Sequence, residues 1–219
     1  MEVPPPSPLP NEEQFAWLAE LSLDQSDQIA AELAVIWGTN SPPEFLDSLR
    51  CQLINVADQV DDMAAAVQHL RLFLQASSQP TEVLQEFHRN AKSLPLLLKI
   101  FATSPTLARW LIEDPSQFEQ LCDGHPSVPR RGDLVQQILV KLESLEQMTE
   151  AAPVISQYYS RELIRVACNE FVHGLSPEKV GRQLADVADA ILEGALQFVL
   201  RRSADRRGMP QRPDGTTPE

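Results

Sequence analysis

The chain has 219 residues, 43% hydrophobic and 22% charged, and its 18 basic against 31 acidic side chains leave a net charge of −13. So acidic a balance excludes a general nucleic-acid binder, which draws phosphate with clustered Lys and Arg. No apolar run approaches the roughly 20 residues that cross a bilayer, and the scattered Cys51, Cys122 and Cys168 make no disulfide framework, so a membrane role is not expected and a reducing cytoplasm is.

Prolines crowd both ends of the chain, where hydrophobic periodicity is missing. Residues 1–24 read as a flexible Pro-rich leader and 204–219 as a flexible polar tail, around one helical domain at 25–203. Inside that domain most prolines stand where helices begin. Ser41-Pro42-Pro43-Glu44 reads as a capping box, and Ser104-Pro105, Asp114-Pro115 and Ser176-Pro177 repeat the cap-then-proline signature. A side-chain oxygen accepts an orphan backbone N–H, and proline takes a position whose N–H has no partner anyway.

Between these starts the apolar spacing is helical. Ile29, Leu33, Ile36 and Trp37 share one face of a first helix that Gly38 ends. Phe45, Leu46, Leu49, Leu53 and Ile54 stripe the second, and Met63, Val67, Leu70, Phe73 and Leu74 the third, stopped by Ser77-Ser78-Gln79-Pro80. Short helices are predicted at about 81–90, 94–102, 105–113 and 115–122, followed by a polar turn at Asp123-Gly124-His125-Pro126. Longer ones follow at about 132–148, 152–172 and 177–202. The last is expected to bury Val180, Leu184, Val187, Ile191, Leu192, Ala195 and Val199, with Asp186, Asp189 and Glu193 opposite. No alternating run is bounded by hairpin turns and no motif recurs at a solenoid period. The fold class is all-α, a globular multi-helix bundle.

The residues offer no obvious reaction centre. His69, His88, His125 and His173 are far apart, and Cys122 with His125 lacks the second pair that a tetrahedral metal site needs. No Gly-x-Ser-x-Gly elbow or phosphate-binding glycine loop occurs, and Cys168 reads as a buried structural thiol. Two-metal phosphoryl transfer requires converging carboxylates; Asp24/Asp27, Asp58/Asp61 and Asp186/Asp189 instead stand three apart, as on a solvated helix face. No catalytic, cofactor or metal residues are therefore assigned. Positive charge does gather in the last third, on Arg161, Arg165 and Arg182 and on Arg201, Arg202, Arg206 and Arg207. These serve either as helix-end and i,i+4 charges, or, for Arg161, Arg165 and Arg182, as a contact surface for an acidic neighbouring domain or its nucleotide.

Three stretches carry a family resemblance. Leu96-Leu97-Leu98-Lys99-Ile100-Phe101-Ala102-Thr103-Ser104-Pro105 runs on through Trp110-Leu111 and Asp114-Pro115 to Phe118 and Leu121. Arg161-Glu162-Leu163-Ile164-Arg165-Val166-Ala167 is an arginine-led helix, and Val180-Gly181-Arg182-Gln183-Leu184-Ala185-Asp186 opens another. Together, over about 60–200, these resemble the bifunctional glutamine synthetase adenylyltransferase/deadenylase family. Ala102 departs from the glycine usual there, so the joint between short helices is expected to be built differently.

The resemblance implies the N-terminal helical portion of such a protein, with the chain ending where the family continues into its nucleotidyltransferase strand and metal-binding aspartates. The whole enzymes use ATP and Mg²⁺ to transfer AMP to a tyrosine of glutamine synthetase, and also remove it. The implied role of this chain is scaffolding or regulation in nitrogen assimilation. Its implied partners are glutamine synthetase, a PII-type signal protein or a downstream nucleotidyltransferase domain. A free-standing helical interaction module unrelated to nitrogen control is the other reading of the same composition.

Overall fold

The computed structural model describes residues 15–21, 24–38, 43–118 and 128–208. Regular structure among them is entirely helical: α1 (Trp17–Glu20), α2 (Ser26–Trp37), α3 (Pro43–Val56), α4 (Met63–Ala76), α5 (Pro80–Arg89), α6 (Ser93–Thr103), α7 (Pro105–Glu113), α8 (Arg131–Leu142), α9 (Met148–His173) and α10 (Pro177–Arg207). The first 14 residues, the tail from 209 onward, the Ser41-Pro42 cap, Cys122 and the turn at 123–126 lie outside the described residues. Among those described, no helix is long and apolar enough to cross a membrane.

The chain forms two compact units, Met1–Gly124 and His125–Glu219. Phe15 and Leu18, inside the expected leader, are buried, and the Phe15 ring meets Trp37 edge-on at 5.6 Å. At the other end α10 runs on to Arg207, because Arg201 and Arg202 hold its last turns to main-chain carbonyls of Leu142 and Leu145.

In the first unit α4 is central, packing on α2, α5, α6 and α7, while α3 packs on α5 and α6. The stripe expected on α4 is buried in full, from Met63 to Leu74. A chain of edge-on aromatic contacts joins it to its neighbours, with Phe73 at 5.9 Å from Phe101 and 5.8 Å from Phe118. Rings arranged edge to face gain beyond their buried area. Polar ties fix the helix pairs. Gln52 on α3 donates to the Phe87 carbonyl at the end of α5 at 2.6 Å. Arg71 on α4 pairs with Glu32 on α2. Ile54, expected in the α3 core stripe, faces outward, and Val56 takes the buried position.

The joint between α6 and α7 accommodates Ala102. Ala102 lies within α6, and one extended residue, Ser104 (φ −138°, ψ 101°), ends α6 and caps α7. Its hydroxyl accepts the Leu107 N–H at 3.3 Å, as the cap-then-proline reading expects. No left-handed residue is involved, so alanine fits. Ser176 behaves differently: it begins α10 without capping a backbone N–H, and its hydroxyl bonds the Glu178 carboxylate, holding that group below its ordinary pKa.

The second unit is a three-helix body of α8, α9 and α10. Its core contains Leu134, Ile138, Leu142, Tyr158, Val187, Ala190 and Phe198. Gly174, in the left-handed region at φ 57°, ends α9 and permits the short turn into α10. The buried face of α10 is not the one its bulky residues suggest. Gln183, Val187, Ala190, Gly194 and Phe198 are buried, whereas Leu184, Leu192 and Val199, expected in the core, are exposed. Close approach of α8 explains the exchange. A Cβ on Gly194 would stand 2.7 Å from Ile138 Cγ2, so the contact at that position requires glycine.

Candidate functional site

The charged residues of α9 and α10 divide by role. Arg165 is turned inward: its Nε donates to Glu162 at 2.7 Å and its Nη1 to the Gln183 side-chain oxygen at 3.2 Å. Asn169 donates to the same oxygen at 3.4 Å. Glu162, Asn169 and Gln183 are all buried. This quartet fastens α9 to α10 with a charge-assisted bond at its centre. Arg161 and Arg182 are exposed. The three arginines singled out from the sequence therefore do not act alike: Arg165 belongs to an internal network, and the other two present charge to solvent.

Tyr158 makes the corresponding tie to α8, donating from its hydroxyl to the Leu134 carbonyl at 3.2 Å. Burial, with the Glu162 carboxylate adding to it, pushes the phenol up to about 12. A folded-state pKa raised above the unfolded one gives stability that is present below about pH 10 and lost as pH rises toward 12. Alkaline unfolding followed by circular dichroism is therefore expected to show a loss of stability over that window. Tyr158→Phe should flatten it, and an unchanged profile in the variant would refute the assignment.

The arginines at the end of α10 are structural too. Arg201 donates to the Leu142 carbonyl at 2.7 Å and Arg202 to that of Leu145. Both guanidinium groups lie over the Phe198 ring, at 5.7 and 5.8 Å from its centroid. They reach the carbonyl of Leu142, the last residue of α8, and that of Leu145 in the turn after it, and place positive charge at the negative end of the α8 dipole. Arg131 at the start of α8 reaches Asp189 at 3.4 Å and Glu193 at 3.1 Å on α10. The acidic residues expected to be solvated thus include a clamp on the neighbouring helix. Arg206 and Arg207 remain exposed.

Much of what α10 leaves open is apolar. Leu192 is 69% exposed and Leu196 58%, and Leu184, Val199 and Leu200 lie open with them. Ala185 and Ala188 are exposed on the same helix. A continuous open face of this kind marks an interaction surface more than a single outward leucine does. Its chemistry is that of binding through apolar contact. Among the described residues, no three His, Cys, Asp or Glu side chains gather where they could hold a metal ion. His69, half-buried, lies within 3.2 Å of the Phe101 carbonyl and edge-on to that ring.

Sequence reasoning missed Glu162, Tyr158, Asn169, Gln183 and Gly194. The available signal was the helical spacing of Gln183, Val187, Ala190, Gly194 and Phe198, a stripe that bulk-weighted periodicity passes over because Gln183, Ala190 and Gly194 add little to it.

Comparison with known proteins bears on the stretches that form α6–α7, α9 and α10. Residues 94–219 match the family described as glutamate-ammonia ligase adenylyltransferase. The chain is also similar to bifunctional glutamine synthetase adenylyltransferase/adenylyl-removing enzymes. It is 26% identical to that of Nitrosococcus oceani over 178 residues, covering 80% of this chain and 18% of the relative. With the enzyme of Pseudomonas syringae pv. tomato it shares 27% identity over 180 residues, 79% of this chain and 18% of the relative. The Pseudomonas putida enzyme gives 26% over 180 residues with the same coverage. The chain thus spans less than a fifth of the length of these relatives. No solved structure matches it.

Proposed function

Because this chain belongs to the glutamate-ammonia ligase adenylyltransferase family, we propose that it serves the control of glutamine synthetase as a helical scaffolding segment that carries out no AMP transfer itself. The observation that supports this most is the match over 94–219, which takes in α6 to α10. The proposed setting is the cytoplasm. ATP and Mg²⁺ would be used by a nucleotidyltransferase domain beside this segment, and α8–α10 would help to position glutamine synthetase or a PII-type signal protein. Exposed Arg161 and Arg182 offer cations to an acidic partner surface, while Arg165 keeps the two helices that carry them in register.

The experiment is to incubate the purified chain with labelled ATP, Mg²⁺ and glutamine synthetase, and to measure label on the synthetase and binding of the chain to it. Binding to glutamine synthetase or to a PII-type protein, without AMP incorporation, is the expected result. Incorporation by this chain alone would overturn the scaffolding reading. Failure to bind either protein would favour a free-standing interaction module, a reading to which the open face of α10 already lends support.

A further inference from the structure

We propose that the open face of α10 docks a second copy of this chain, the two helices pairing antiparallel about a two-fold axis at Leu192. The surface itself carries an apolar stripe along one side of the helix, from Ala185 to Val199. Positions 178, 185, 192, 199 and 206 recur at seven residues, with 181, 188, 196 and 203 between them, and every one of these positions is exposed. A seven-residue repeat of this kind keeps one stripe of a helix against a partner helix along its length. From Gly181 to Ser203 the stripe carries no charge.

Self-complementarity identifies the occupant and its direction. The N-terminal half of the stripe is small, with Ala185 and Ala188, and the C-terminal half is large, with Leu196 and Val199. Antiparallel pairing centred on Leu192 sets Ala188 of one copy against Leu196 of the other, and Ala185 against Val199. Each large side chain then enters the space that a small one leaves. The same register brings Glu178 of one copy to Arg206 of the other at both ends. A parallel pair would set leucine on leucine, alanine on alanine and Arg206 on Arg206. Charge therefore selects the antiparallel arrangement, and a two-fold axis lets one patch serve both subunits. Self-association of this kind does not depend on the family assignment.

Sedimentation equilibrium of the full 219-residue chain is expected to show a monomer–dimer equilibrium. Leu192→Glu should weaken the dimer by about a hundredfold or more while the circular dichroism and unfolding midpoint stay those of the parent, because Leu192 is not part of the core. Glu178→Arg and Arg206→Glu should each weaken it by about tenfold and together restore it. Register is tested by oxidation in a chain whose three native cysteines are alanine. Leu192→Cys should form a disulfide-linked dimer, and Ala185→Cys should not, since its two-fold mate lies roughly 21 Å along the axis. A monomer at every concentration overturns the proposal, as does equal cross-linking at 185 and 192 or failure of the charge exchange to restore association.

Discussion

Arg165→Leu is expected to destabilise the second unit by about 3 kcal/mol, since removing one partner of a buried pair strands the other charge away from water. The Glu162 side chain is only 3% exposed and its bond to Arg165 is 2.7 Å long. Gln183 would also lose one of the two donors on its side-chain oxygen. The pair itself is not a large source of stability, because desolvation offsets most of its attraction. Glu162→Met combined with Arg165→Leu should therefore recover most of the loss. Arg165→Lys should recover only part of it, since one ammonium does not reproduce a guanidinium that reaches two acceptors at once. Urea unfolding of the three variants checks this, and a single substitution costing under about 0.5 kcal/mol, like an ordinary surface change, would show that the network does not hold α9 to α10.

Two glycines on α10 should respond to alanine with opposite signs. In a helix interior alanine is favoured over glycine by about 1 kcal/mol, and Gly181 has nothing within 4 Å of where a Cβ would stand. Gly181→Ala is therefore expected to stabilise by about 0.5–1 kcal/mol. Gly194→Ala gains the same propensity but sets its methyl 2.7 Å from Ile138 Cγ2 and 3.1 Å from Cγ1. Ile138 is fully buried and branched at Cβ, so it has little rotamer freedom with which to yield. Overpacking should outweigh propensity and leave a net loss of about 1–2 kcal/mol. Thermal unfolding of Gly194→Ala, Ile138→Ala and the double variant should show a coupling of at least ~0.5 kcal/mol. Strict additivity would mean that the two positions do not touch.

These two sites also show where sequence stops being informative. Helix starts were legible because their chemistry is local: Ser104 and Pro105 specify the beginning of α7 within three residues, and the structure places that cap as expected. The α4 stripe was legible because one side of it is packed by α2, α5, α6 and α7 together, so bulk and burial coincide. On α10 they part. Its tightest neighbour approaches through Gly194 and Ala190, while Leu192 and Leu196 are left outside. Nothing in the α10 sequence alone says which stripe meets α8. Ile54 was misplaced for the same reason, an apolar residue whose face is decided by neighbours elsewhere in the chain.

The charged residues were less legible still. Arg165 and Gln183 are 18 positions apart and meet only because Gly174 folds α10 back along α9. Without that turn Arg165 cannot be told from exposed Arg161, and all the basic residues of this third read as one group. Arg201 and Arg202 were foreseeable as helix-end charges, but the carbonyls they reach belong to the end of α8 and the turn after it, 59 and 57 positions earlier. The family resemblance was legible through the order of three stretches, each of them weak in isolation, and the match over 94–219 covers all three.

Which face of α10 is open underlies both the packing described for the second unit and the surface offered to a partner. Thiol labelling measures it most directly. In a chain with its native cysteines replaced by alanine, diluted until monomeric, Leu192→Cys should react about as fast as a free thiol. Ala190→Cys, at a buried position, should react only as fast as the unit opens. Protection at 192 with ready labelling at 190 would contradict the arrangement.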